Sequence, residues 1–126
     1  MFEHLDPSLP TPLYAQLAQR LRAAIAAGEL AVGEALPSVR HLAARLRMNP
    51  GTIVQAYREL EASGLVELRQ GSGTYVREIS RARRTQEQAA ASARLAQEML
   101  ARAAGLGISG DDLLAALRNA LRGERP

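Results

Sequence analysis

Residues 47–64 read RMNPGTIVQAYRELEASG, and the fold turns on how this stretch begins. Ile53, Ala56, Tyr57 and Leu60 recur at helical spacing, so most of it is an amphipathic helix with one apolar stripe. Yet it opens with Asn-Pro-Gly, three residues that disfavour a helix interior. Asn49 is a strong N-cap, and Pro50 suits the first helical position, where a missing N–H has no partner to lose. Gly51 has no capping role and weakens the helix by up to ~1 kcal/mol relative to Ala. What it gives is closeness, since nothing projects from that turn. Either Gly51 is a neutral residue, or the helix start sits against something. In the second case unpaired N–H groups and the helix dipole favour a phosphate there.

The flanking segments supply the context. Thr11 as N-cap and Pro12 as first residue predict a helix carrying Leu13, Leu17, Leu21 and Ile25, closed by Gly28. Glu29–Leu36 is a connector with room for a short strand. Ser38 caps a second, short helix, SVRHLAARL, whose Val39, Leu42, Ala43 and Leu46 face inward. Arg47 and Met48 form the turn into the opening stretch, which ends at Gly64. The following LVELRQGSGTYV changes to period two, with Val66 and Leu68 before Gly-Ser-Gly and Tyr75 or Val76 after it. Such alternation around a glycine-rich tip is a β-hairpin pattern. Helix, helix, tight turn, helix and hairpin make a winged helix-turn-helix. The expected fold is therefore mainly α with a small β-hairpin.

Composition changes after Ile79. A basic SRARRTQEQ leads into an Ala-rich helix reaching about Ala104, ended by Gly105 and Gly107. Ser109 then heads a capping box with Asp in place of Glu or Gln, and a last helix follows. Leu95, Met99, Leu100, Leu113, Leu117 and Leu121 form apolar seams that a two-helix unit of this size cannot cover alone. The same hairpin from a second chain is the expected cover. Two domains follow: 1–79, a winged helix-turn-helix, and 80–126, a helical dimerisation hairpin.

Charge placement narrows the function. The formal net charge is +3, and every Lys or Arg in the chain is Arg. Residues 1–79 hold eight Arg and eight acids, which cancel, while residues 80–126 hold eight Arg and five acids. Within the first part, Arg40 to Arg58 contains four Arg, one His and no acid. That is a local basic patch on a neutral domain, the electrostatic mark of a nucleic-acid face. On the third helix, Gly51, Thr52, Val54, Gln55 and Arg58 lie on or beside the outer side. Gln55 can read adenine, Val54 can touch a thymine methyl, and Arg58 is placed for phosphate. Arg47 is either a phosphate contact or a solvated turn residue.

Several classes are disfavoured. No uncharged run is long enough to span a membrane, and MFEHLD does not begin a signal peptide. The chain has no Cys and only two His, His4 and His41, so thiolate and His-rich metal sites have no ligands. Asp111 and Asp112 read as helix-start acids. No nucleophile–base pair or carboxylate constellation suggests catalysis, and no cofactor is expected. A cytoplasmic protein fits these features.

Four blocks of the sequence resemble the winged-helix signature of the GntR family of bacterial transcription regulators. They are PLYAQL at 12–17, LPSVRHLA at 36–43, TIVQAYRELEASGLV at 52–66 and RQGSGTYV at 69–76. The short helical tail, and Asn-Pro-Gly-Thr where relatives have Ser-Arg-x-Thr, resemble the YtrA subfamily. The resemblance implies a homodimeric regulator of double-stranded DNA that binds an inverted-repeat operator. For YtrA-like proteins it further implies repression of their own operon, commonly with ABC transporter genes. It places Ser38 and Arg40 against the DNA backbone, with Arg40 reaching towards a base, and Thr52 on a phosphate. Gly71 and Gly73 match the wing tip, with Arg69 beside it. Pro50 stands where many relatives have a guanine-reading Arg, and Val54 where some have another, so those contacts are absent here. The DNA-binding set is thus Ser38, Arg40, Arg47, Asn49, Gly51, Thr52, Gln55, Arg58, Arg69, Gly71 and Gly73. The competing reading is a winged helix used for protein contact, with the tail as an assembly module. An acid-free Arg patch favours DNA, because protein-binding faces are richer in aromatic and aliphatic residues.

Overall fold

The structure is a computed structural model and describes residues 2 and 5–123. His4 lies outside the described residues. The chain divides into two compact units, Met1–Ala89 and Ala90–Pro126.

The first unit contains α1 (Leu13–Ala27), α2 (Val39–Leu46), α3 (Pro50–Ala62), β1 (Val66–Arg69), β2 (Gly73–Val76) and the start of α4 (Arg81–Gly105). Leu17, Leu21 and Ile25 of α1 meet Leu42 of α2, Ile53 and Leu60 of α3, and Leu65 and Val66 in one fully buried cluster. These are the stripes that the helical and strand periodicities select. They make the helices a single platform for whatever the outer faces hold.

The entry to α1 differs from the expected one. Pro12, not Thr11, is the N-cap, and no side chain caps the helix. The buried Gln16 side chain organises this corner instead. Its Nε2 donates to the carbonyls of Asp6 and Thr11, each at 2.8 Å, while its Oε1 accepts from the Asp6 N–H at 2.8 Å. An amide with three bonds to backbone leaves Thr11 no capping task. Leu5 and Phe2 pack against the core, and the Arg45 guanidinium lies over the Phe2 ring.

The wing is an antiparallel pair in the register Val66↔Val76, Glu67↔Tyr75, Leu68↔Thr74 and Arg69↔Gly73. Residues of the connector run along the free edge of β2. Gly33 N–H donates to Val76 O, Val76 N–H to Glu34 O and Leu36 N–H to Thr74 O, with a bridge between Ala35 and Tyr75. Leu68, expected to face inward with Val66, is 62% exposed. Only the base of the hairpin lies over the helices; β1 goes from buried to exposed along its length, so the alternation stops marking a core. The third helix ends at Ala62, with Ser63 as C-cap, and Gly64 takes φ 79° in the turn to the wing.

The second unit contains the rest of α4 and α5 (Gly110–Leu121). Gly107, at φ 75°, ends the first helix, and Ile108 N–H closes it on Ala103 O at 2.8 Å. Ser109 caps α5 by accepting from Asp112 N–H at 3.1 Å. A Cβ at Gly110 would lie 3.3 Å from Leu100 Cδ2, so the two helices meet tightly there. No residue of α5 is buried. Among the described residues no helix is long and apolar enough to cross a membrane, and no His, Cys, Asp and Glu cluster could hold a metal.

Candidate nucleic-acid interface

Two helix starts and the turn between them bring the basic patch together. Ser38 caps α2, its Oγ accepting from His41 N–H at 3.1 Å, which leaves the hydroxyl hydrogen free to donate outward. Arg40 follows, exposed in the first turn. The position of this corner is set by Tyr57, whose ring is buried against the core and whose hydroxyl donates to Pro37 O at 2.7 Å. Burial pushes the Tyr57 pKa up, so the phenol remains a donor. A core residue of α3 thereby fixes the start of α2.

Arg47 is where the two helices join. It caps α2 in the left-handed conformation, φ 55° and ψ 46°, and is the one non-glycine residue with positive φ among those described. Its N–H and that of Met48 close back on the last carbonyls of α2. The side chain is exposed. Glycine is the usual occupant of such a position. An arginine there is a residue held in a costly conformation.

The start of α3 corrects one expectation. Asn49 Oδ1 accepts from Gly51 N–H at 2.7 Å, and Asn49 O accepts from Thr52 N–H at 2.9 Å. Pro50 has no N–H. The first three helical residues therefore have no spare backbone donor for a phosphate, because the cap uses them. Gly51 also has a reason that its residue type did not disclose. A Cβ there would lie 3.1 Å from Asn49 Oδ1, closer than ordinary contact, so the cap itself favours glycine. Anion binding at this turn must come from side chains: the Thr52 hydroxyl and the surrounding arginines.

Gly51, Gln55 and Arg58 follow one another at helical spacing on the exposed face of α3, while Thr52 and Val54 are half-buried on its flanks. Glu59 and Glu61, both exposed, occupy the C-terminal half. These acids would repel phosphates, so the N-terminal half is the part suited to a DNA groove. On the wing side, Val54 lines a recess with Val39, Tyr57, Leu68 and Thr74, rimmed by Arg58 and Glu61. The exposed Leu68 is thus part of an apolar strip between α3 and the wing.

At the wing, Gly71 (φ 74°) and Gly73 (φ 142°) make the tip. Arg69 pairs with Glu67 Oε1 at 2.8 Å and stacks on the Tyr75 ring at 4.2 Å. Both partners of the ion pair are about half exposed, so the pair is weak and open to competition by a phosphate. Sequence reasoning missed Tyr75. Its signal is the register: a three-residue loop puts Arg69 and Tyr75 diagonally on one face. Ser38, Arg40, Arg47, Asn49, Gly51, Thr52, Gln55 and Arg58 come from one α2–turn–α3 segment, whereas Arg69, Gly71 and Gly73 come from the wing.

The expected seam residues of the tail are accessible in their own unit. Leu95, Leu100, Leu117 and Leu121 are exposed, Leu121 at 87%, and Met99 and Leu113 are half-buried. Leu106, Ile108 and Leu114 are exposed as well.

Comparison with known proteins agrees with this architecture. Residues 13–76 match the family model "Bacterial regulatory proteins, gntR family". The chain is 42% identical over 74 residues to the HTH-type transcriptional repressor YtrA of Bacillus subtilis strain 168, an alignment spanning 59% of this chain and 57% of that protein. A GntR family transcriptional regulator from Listeria monocytogenes superposes with TM-score 0.66 at 31% identity, covering 90% of this chain and 97% of the other. The DNA-binding domain of AraR, solved in complex with operator ORR3, superposes with TM-score 0.52 at 28% identity over 57% of this chain and 87% of its own.

Proposed function

The chain belongs to the GntR family of bacterial regulatory proteins, and from that premise we propose a homodimeric repressor that binds an inverted-repeat operator. Members of the family are transcription regulators, not enzymes, and DNA binding is the activity of the winged unit. The observation that carries the proposal is the acid-free cationic surface that α2, its turn and the start of α3 present around Ser38, Arg40 and Arg47, with Arg58 further along α3 where Glu59 and Glu61 begin.

Arg40, Arg47 and Arg58 give the phosphate contacts, Thr52 adds a hydroxyl, and Gln55 with the Val54 flank reads base edges in the major groove. Gly71 and Gly73 let the wing tip approach the neighbouring minor groove, and Arg69 exchanges Glu67 for phosphate there. Residues 1–79 supply this reading head and 80–126 the dimer contact. The apolar side chains exposed along α4 and α5 support that division, since they form a surface too large to leave in water. Two-fold symmetry then demands an inverted repeat. The likeness to the repressor YtrA supports repression, and the regulatory setting we propose is a cytoplasmic repressor of its own operon with ABC transporter genes alongside.

A gel shift with duplex from upstream of the protein's own gene tests the reading. The expected result is a retarded complex that weakens steeply with salt. Failure to retard this duplex, or random-sequence duplex at low salt, would favour a protein-contact module instead.

A further inference from the structure

Glu87 lies in the second turn of α4, on a helix that runs unbroken from Arg81 to Gly105. It is a buried carboxylate, its side chain 8% exposed, and the DNA face described above makes no use of it. Arg22 of α1 reaches it with Nε to Oε2 at 3.2 Å and Nη2 to Oε1 at 2.9 Å. Arg83, one turn earlier on α4, donates to Oε1 at 3.0 Å. The same two arginines hold the end of α3: Arg22 Nη1 donates to Ser63 Oγ at 3.1 Å, and Arg83 Nη2 to Ser63 O at 2.7 Å. Beside them, Arg84 donates to Ile25 O at 2.7 Å and Ala26 O at 3.1 Å, and Gln88 to Ala26 O at 3.1 Å.

These partners are the C-terminal ends of α1 and α3, where unpaired carbonyls and the helix dipole favour cations. The opening of α4 thus supplies the arginines that two core helices need at their ends. Glu87 holds one of them, Arg83, together with Arg22 of α1, accepting from both with its two oxygens. The hydrogen bond from Arg22 keeps the Glu87 pKa below the usual carboxylate range and raises that of Arg22, so both stay charged. A flexible linker has no use for such a network. The network instead fixes the opening of α4 on the winged unit.

We propose that Glu87 is a positioning residue for two-site DNA binding: through Arg22 and Arg83 it locks the first turns of α4 to α1 and α3, so the two reading heads of the dimer accept one half-site spacing. This rests on the homodimeric reading above. Without the lock, each head still binds its half-site, but the pair tolerates several spacings.

The test uses the full-length protein and the inverted repeat that it selects from a random duplex pool. Affinity is measured on that repeat, on a single half-site, and on repeats with base pairs inserted between the half-sites. For wild type, an insertion of about half a helical turn, ~5 base pairs, should cost roughly a hundredfold. Glu87→Ala should keep the single half-site affinity and lose less than about tenfold on the same insertion. Arg84→Ala, which spares the buried carboxylate, should shift the penalty the same way and serves if Glu87→Ala does not fold. A penalty unchanged from wild type in a folded variant overturns the proposal. So does a parallel loss on single and double sites, which is the mark of a merely destabilised head. If wild type selects no inverted repeat, or binds one and two half-sites equally, the dimer reading itself fails.

Discussion

Arg47 carries the clearest conflict between stability and function. Its left-handed backbone costs a non-glycine residue roughly 1–2 kcal/mol. Arg47→Gly should therefore raise the unfolding free energy by about 1 kcal/mol, read by denaturant titration. The same change should weaken DNA binding and lower its salt dependence by about one unit per chain. A glycine variant that binds as wild type would leave Arg47 a solvated turn residue. Gly51 behaves differently from what its residue type alone suggests. Ala normally improves helix propensity, but here its Cβ would crowd Asn49 Oδ1 at 3.1 Å. Gly51→Ala should then give no gain in stability, with a loss of up to ~1 kcal/mol as the cap shifts. Gly51→Glu should nearly abolish DNA binding by placing an anion at the groove, and normal binding by that variant would remove this turn from the interface. The Asn49 cap and the Pro50 start were legible in the residues, because capping depends on local chemistry. The left-handed Arg47 was not, since a two-residue turn takes its dihedrals from the helices that it joins.

Elements followed their periodicities where burial was one-sided. All five helices, the hairpin and the Ser38, Asn49 and Ser109 caps could be read in advance, because each depends on neighbours within one turn. Leu68 and the α1 cap could not. The wing outruns the core, and the capping role of Thr11 is displaced by Gln16, a contact set by the path of the lead-in. The opening of α4 was legible as a helix but not as part of the winged unit. Its polar, basic composition reads as solvated, yet those arginines end on carbonyls of α1 and α3. A pH dependence follows. Glu87 has a lowered pKa, first through its bond from Arg22 and then through Arg83. Its stabilising contribution is therefore present above the usual carboxylate range and lost as pH falls through the lowered value. Glu87→Gln should lower stability at neutral pH and lose less on acidification than wild type. Thermal melts from neutral to about pH 3 would compare the two. Parallel curves would mean that the carboxylate charge contributes nothing to folding.

At the scale of the molecule, the place of a truncation matters. Ending the chain after Ile79 removes Arg83, Arg84 and Glu87 and leaves the ends of α1 and α3 without their partners. Ending it after Ala89 retains them. The longer truncation should fold as a monomer and bind DNA weakly, while the shorter one should melt measurably lower. Sedimentation and melting curves would distinguish these outcomes, and a dimer after removal of 90–126 would assign the tail the wrong task. A change of composition after Ile79 is visible in the sequence, whereas the two compact units meet at Ala89, a place that depends on tertiary hydrogen bonds. The central claim is that the cationic surface of α2, its turn and the N-terminal half of α3 is what meets DNA. It is tested most directly by the salt dependence of affinity for the upstream duplex, wild type against Arg40→Ala/Arg47→Ala/Arg58→Ala. The triple variant should fold normally, bind at least about a hundredfold more weakly at low salt, and lose about 0.9 of slope for each phosphate contact removed. An unchanged affinity and slope would contradict the account.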